Sequence, residues 1–210
     1  IAYCFFKKEI RFLYLAYFSN PNIEIGRGYP KGHFENHPSR GFDIKKESKK
    51  VLANKPLEID PYYVWGNSIG CYDYEIEKGQ KYSIYLAGDS HTWGYVKKSD
   101  HFSEILEKKL MKNVAGCGVT NTGQKHQFSK FKDVTKQLGY FPNQVIVSII
   151  PNDIKNDFYH PHTIVIDGYL IDSRFIYMKE DKTFSYKEID NEILMEKLAS
   201  YKSGKRIENR

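Results

Sequence analysis

In the segment Tyr82-Ser83-Ile84-Tyr85-Leu86-Ala87, a nearly continuous run of β-forming and apolar residues stops abruptly at Gly88-Asp89-Ser90. A helical pattern follows, with Phe102, Ile105, Leu106, Lys109 and Leu110 at helical spacing and Ser99 or Asp100 suited to the N-cap. A short apolar run without alternation is the mark of a parallel strand covered on both faces, and the helix after it is the crossover that parallel pairing requires. This confines the chain to the α/β class. In an open α/β sheet, reactive side chains collect at the carboxyl ends of the strands, and Ser90 would stand at that rim.

The same unit recurs. Asn113-Val114-Ala115-Gly116-Cys117-Gly118 reads as a short strand entering a glycine-containing loop, Gln124 to Leu138 as a second helix, and Gly139-Tyr140-Phe141-Pro142-Asn143 as its break. Gln144-Val145-Ile146-Val147-Ser148-Ile149-Ile150 is the clearest buried strand of the sequence, β-branched and without alternation, and it ends at Pro151-Asn152-Asp153. The order β-α-β-α-β predicts a three-layer α/β/α arrangement around a parallel sheet. Beyond Phe158, Thr163 to Asp167 and Tyr169 to Met178 predict a hairpin turning at Asp167-Gly168, and Lys187 to Tyr201 predicts a helix.

Residues 1 to 80 read as a loop-rich N-terminal extension packed on a main domain of residues 81 to 210, with the hairpin at about 160 to 180 as an insertion. Ile1 to Phe18 suggests a short amphipathic helix or strand. His33 and His37 have the His-x-x-x-His spacing of a metal pair on a helix, but the surrounding glycines and Pro38 speak for exposed loop histidines. The lysine-rich run Lys45 to Lys50 reads as solvated surface. No pattern asks for a metal or a cofactor.

At 210 residues, 40% hydrophobic and 15% aromatic, the chain can build a sizeable core. Its formal charge of +6 is spread among interleaved acids, so no compact basic face is specified and no nucleic-acid partner is expected. Cys4, Cys71 and Cys117 are odd in number and lack Cys-x-x-Cys spacing, which argues against a disulfide framework, and Cys117 is expected simply to pack. The apolar run Phe12 to Phe18 is too short to span a bilayer. The cell envelope and the cytoplasm both remain open as locations.

Gly88-Asp89-Ser90 after a strand, Gly118 within Cys117-Gly118-Val119, and Asn152-Asp153 after a third strand resemble, in order and spacing, the first three sequence blocks of the SGNH (GDSL-type) hydrolases. The similarity covers about residues 80 to 160. The segments His37-Pro38-Ser39-Arg40-Gly41-Phe42-Asp43 and Trp65-Gly66-Asn67-Ser68-Ile69-Gly70 also resemble the leader of some bacterial, envelope-associated members. The resemblance implies a flavodoxin-like sandwich, incomplete at its C-terminal side, and an esterase or O-acyl transferase acting on an acyl ester of a small or carbohydrate-like molecule. Ser90 is then the nucleophile, and the Ser90 N–H, the Gly118 N–H and the Asn152 carboxamide form the oxyanion hole. Asp89 shapes the turn.

Two departures from the family stand out. Pro151 takes the place of the glycine usual before Asn-Asp, and the Asp-x-x-His that supplies the base is not at its usual distance. Asp157-Phe158-Tyr159-His160 fits the pattern literally but follows the third block at once, on what reads as a loop at the same rim, with His162 beside it and His91 next to Ser90. The expectation is that the base and the rest of the sheet lie beyond Arg210. A non-catalytic binding or assembly module of the same fold is the alternative.

Overall fold

The computed structural model describes residues 23–25, 29–53, 62–161, 163–173, 176–178, 184–186 and 199. In chain order the elements are β1 (Ile23–Ile25), β2 (Phe34–His37), β3 (Gly41–Ile44), β4 (Val51–Ala53), β5 (Tyr62–Val64), β6 (Ile84–Ala87), the single turn α1 (Ser90–Trp93), α2 (Phe102–Leu110), β7 (Val114–Gly116), α3 (Gln124–Leu138), β8 (Gln144–Val147), α4 (Pro151–Tyr159), β9 (Thr163–Ile166), β10 (Tyr169–Ser173), β11 (Ile176–Met178) and β12 (Phe184–Tyr186). The fold is mixed α/β. The chain divides into two compact units, one of residues 27–170 and one made of residues 1–26 with 171–210. Within the latter, Ile23–Ile25 pairs antiparallel with residues 171–173 of β10, and β11 pairs antiparallel with β12. The segments expected at Ile1–Phe18 and Lys187–Tyr201 lie outside the described residues, except Ala199, which is helical.

The unit of residues 27–170 holds a parallel sheet in the order β7-β6-β8, with Tyr85 opposite Ala115 on one side and Val145 on the other. The side chains of β6 alternate between two faces. Ile84 and Leu86 join Val114 and pack against Leu106 of α2, whereas Tyr85 and Ala87 join Ala115 and Cys117 against Phe131, Val134 and Leu138 of α3. A helix therefore lies on each face of the central strand. A third, aromatic core gathers Phe34, Phe42, Val64 and Tyr72 with Trp93, Val119 and Leu170, so residues 29–53 and 62–80 share their interior with the sheet region. Asp167 and Gly168 both take positive φ in the two-residue turn between β9 and β10, as the Asp-Gly pair predicts.

Several expectations are corrected. The strand Gln144–Val147 is not covered on both faces: Val145, Ile146 and Val147 are 43%, 41% and 44% exposed, although β7, the other edge of the same sheet, is buried. The N-cap of α2 is His101 rather than Ser99 or Asp100, which belong to a 3-10 turn, and Ile105 and Leu110 of that helix stay exposed. Residues 151–159 form a helix rather than a loop, because Pro151 at its first position has the fixed φ that starts one.

His33 is not an exposed loop residue. It is fully buried, its Nε2 accepts from the Trp93 indole at 3.3 Å, and burial lowers its pKa to about 3. His37 ends strand β2, so the pair is not on a helix. Cys71 and Cys117 are joined in a disulfide inside the core, where an unpaired, simply packed Cys117 was expected.

Candidate active site

Strand β6 delivers Gly88-Asp89-Ser90 straight into α1. The turn can be this tight because Gly88 has no Cβ: one added there would run into the Thr92 side chain. Asp89 is the N-cap, its Oδ1 accepting from the His91 N–H at 2.9 Å. Its other oxygen, Oδ2, accepts from Ser90 Oγ at 3.2 Å and from Asn152 Nδ2 at 3.2 Å. Two side chains 62 positions apart along the chain thus lie against one oxygen of one fully buried carboxylate. Ser90 is half-buried and Asn152 is exposed, so both open toward solvent on their other side.

Gly118 meets the same turn. A Cβ on it would collide with the backbone of Thr92 and Trp93, so only glycine permits this approach. The neighbouring N–H groups of Cys117 and Val119 donate to Leu86 O and Gly88 O at 3.1 and 3.0 Å, which continues the β6 pairing past the end of β7. On the alternate positions, Val114 N–H donates to Glu107 Oε1 at 2.7 Å and Gly116 N–H to Asp73 Oδ2 at 2.6 Å. Gly118 is next in that alternation. Ser90, Gly118 and Asn152 are all brought to the α1 turn.

Asn152 owes its place to α4. Asp153 Oδ2 accepts from the Ile150 N–H at 3.4 Å and from Gln124 Nε2 at 2.7 Å, Asn156 Nδ2 donates to Thr122 O, and Asp157 Oδ1 accepts from the Lys125 N–H at 2.8 Å. These bonds lash α4 to the start of α3. Burial raises the pKa of Asp153.

The histidines are distributed differently from the expectation. His160 caps the C-terminal end of α4, eight residues from Asn152 and hence about 12 Å farther along the axis at 1.5 Å per residue. Its ring lies against that of His126, 6.1 Å between centroids, and Asp157 faces α3. His91 is exposed, and His33, His101 and His126 are buried. His162 lies outside the described residues.

The sequence reading named Asp89 only for the turn and did not single out Tyr29 or Tyr95. Asp89 is a hub as well as a turn former, which the preference of Asp for N-caps could have signalled. Tyr29 and Tyr95 place their hydroxyls 3.4 Å apart, and burial, with smaller contributions that include the Asp89 charge, raises the Tyr29 pKa. No local pattern announces that meeting. Among the described residues, no group of three or more His, Cys, Asp or Glu side chains could hold a metal ion, and no helix is long and apolar enough to cross a membrane. Compared with known proteins, the chain matches no family model, no curated protein and no solved structure.

Proposed function

We propose that this chain is a serine hydrolase of the SGNH type, an esterase or O-acyl transferase acting on acyl esters, carbohydrate esters among them, with the three-layer flavodoxin-like sandwich of that family. The observation that carries the reading is the shared Asp89 oxygen, which holds Ser90 and Asn152 together while Gly118 abuts the same turn. Ser90 Oγ attacks the ester carbonyl carbon, its proton passes to a base, and the carbonyl oxygen takes up the negative charge. The Ser90 and Gly118 N–H groups and the second N–H of the Asn152 amide are the donors for that charge. Collapse of the intermediate breaks the bond to the leaving alcohol, which takes the proton. Water or an acceptor hydroxyl then releases the acyl group.

We read Asp89 as a holder rather than the base, since its carboxylate also caps α1 through the His91 N–H and binds the Asn152 amide. With His33, His101 and His126 buried and His160 packed against His126, we take the base to come from outside the described residues. The Cys71–Cys117 disulfide favours an oxidising compartment such as the cell envelope. A fluorophosphonate probe is expected to label the protein, expressed from its complete reading frame, at Ser90 and to leave Ser90→Ala unlabelled. A folded protein that resists the probe would speak against the reading.

The burial of His33, His101 and His126, and the packing of His160 against His126, favour one second reading, a non-catalytic binding or assembly module of this fold. That module would bind an acyl ester without consuming it.

A further inference from the structure

The peptide unit between Thr92 and Trp93 is gripped from two directions. Gly118 presses on its backbone, and the buried ring of His101 reaches its Thr92 carbonyl and the Trp93 carbonyl that follows. His101 Nδ1 accepts from the Ser103 N–H at 3.2 Å, which fixes the ring proton on Nε2. That Nε2–H donates to Thr92 O at 2.9 Å and to Trp93 O at 3.0 Å, the last carbonyls of the α1 turn. Gly94 follows at φ 71°, and a Cβ there would strike the imidazole.

The ring is itself held. Lys98 Nζ donates to Ser103 Oγ at 2.7 Å, and Ser103 Oγ in turn lies 2.7 Å from His101 Nδ1, so its hydroxyl proton points at the ring. The same ammonium is paired with Asp73 Oδ1 at 2.7 Å, and Asp73 Oδ2 receives the Gly116 N–H, two residues before Gly118. All four side chains are buried. One continuous network therefore touches the turn bearing Ser90 at its end and, at Gly116, the strand that leads to Gly118.

We propose that His101 is a positioning residue for the Ser90 site: by holding the Thr92–Trp93 carbonyls it fixes the α1 turn against Gly118, and so sets the spacing of the two backbone donors. The role rests on the serine-hydrolase reading for its chemical meaning, but the placement itself is independent of it. A displacement of about 1 Å in such a site can cost about a hundredfold in rate.

Two amide variants, each able to replace one ring nitrogen, separate the two ends of the ring. In His101→Asn the side-chain oxygen can keep the Ser103 cap while the grip on α1 is lost, whereas in His101→Gln the amide can restore the donor to Thr92 and Trp93. The measurements are the backbone amide spectra of Ser90, Trp93 and Gly118 and the rate of fluorophosphonate labelling, with thermal stability followed in parallel. His101→Asn is expected to shift all three amides and to slow labelling about a hundredfold, with His101→Gln recovering most of both. Unmoved amides in His101→Asn, or equal loss in the two variants, would overturn the proposal. If His101→Asn does not fold, Ser103→Ala serves, expected to shift the same amides less and refuting the proposal if it moves none. An unlabelled wild type would remove the hydrolase reading, and the amide comparison alone would then decide the placement.

Discussion

The two edges of the parallel sheet differ in a way their own residues do not foretell. Strand β7, Val114–Gly116, contains an alanine and a glycine and is completely buried, whereas β8, Gln144–Val147, is richer in β-branched residues and exposed throughout. The covered edge is closed by chemistry from elsewhere: carboxylates of Glu107 and Asp73 take its outward N–H groups, and the disulfide from Cys71 ties down the residues just beyond it. Unpaired strand edges invite pairing with other chains, and capping with charged groups is one remedy. Burial of a strand is thus conferred by its neighbours, and the proposed oxyanion donor Gly118 lies on the side that received them.

The largest test of that contrast is removal of the disulfide. Cys71→Ala/Cys117→Ala frees a loop closed over 46 residues, for which the chain-entropy model gives a loss of about 4 kcal/mol. Urea unfolding of the oxidised protein and of the variant measures it, and an unchanged midpoint would mean that the covered edge is held without the bond.

Next comes acid. Burial, aided by the Lys98 charge, lowers the His101 pKa from 6.5 to about 4, and His33 is lowered to about 3. Groups depressed in the folded state contribute stability that is complete above the unfolded pKa and is lost as pH falls through the window from 6.5 to the folded value. For His101 this amounts to about 3 kcal/mol between pH 6.5 and 4. Asp43, kept ionised by Lys130 and Arg40 in spite of burial, adds a loss in the same direction below the usual carboxylate range. Denaturation midpoints measured across pH 4 to 7 are expected to fall toward acid, and His101→Asn to flatten the slope.

The smallest effect compares the edges residue for residue. Val114→Ala is expected to cost about 2 kcal/mol, at roughly 0.8 kcal/mol per buried methylene, because Val114 is 0% exposed. Ile146→Thr on the bare edge is expected to change stability by less than about 0.5 kcal/mol and to reduce self-association seen by light scattering. Equal costs at the two positions would mean that β8 is covered in solution.

Much of this was legible in the sequence. The helix at Gln124–Leu138 begins after Gly123 and stops at Gly139 in the left-handed region, both readable as boundaries, and the turn at Asp167-Gly168 is dictated by backbone sterics. Local preferences of this kind act over a few residues, so the chain states them itself. The proposed site was legible as three motifs at strand ends and, through the family resemblance, as an expected convergence of Ser90, Gly118 and Asn152, but the Asp89 contacts that join two of them were not.

The order of elements, the turn chemistry and the glycines at Gly88 and Gly118 were set by the amino-acid sequence alone, since each rests on sterics within a short segment. Only the tertiary structure decided that Asp89 would bind Ser90 and Asn152 through one oxygen, that Cys71 would find Cys117, and that β7 rather than β8 would be buried. Those outcomes depend on which distant groups come within about 3 Å, the range at which a hydrogen bond forms, and no local pattern carries that information.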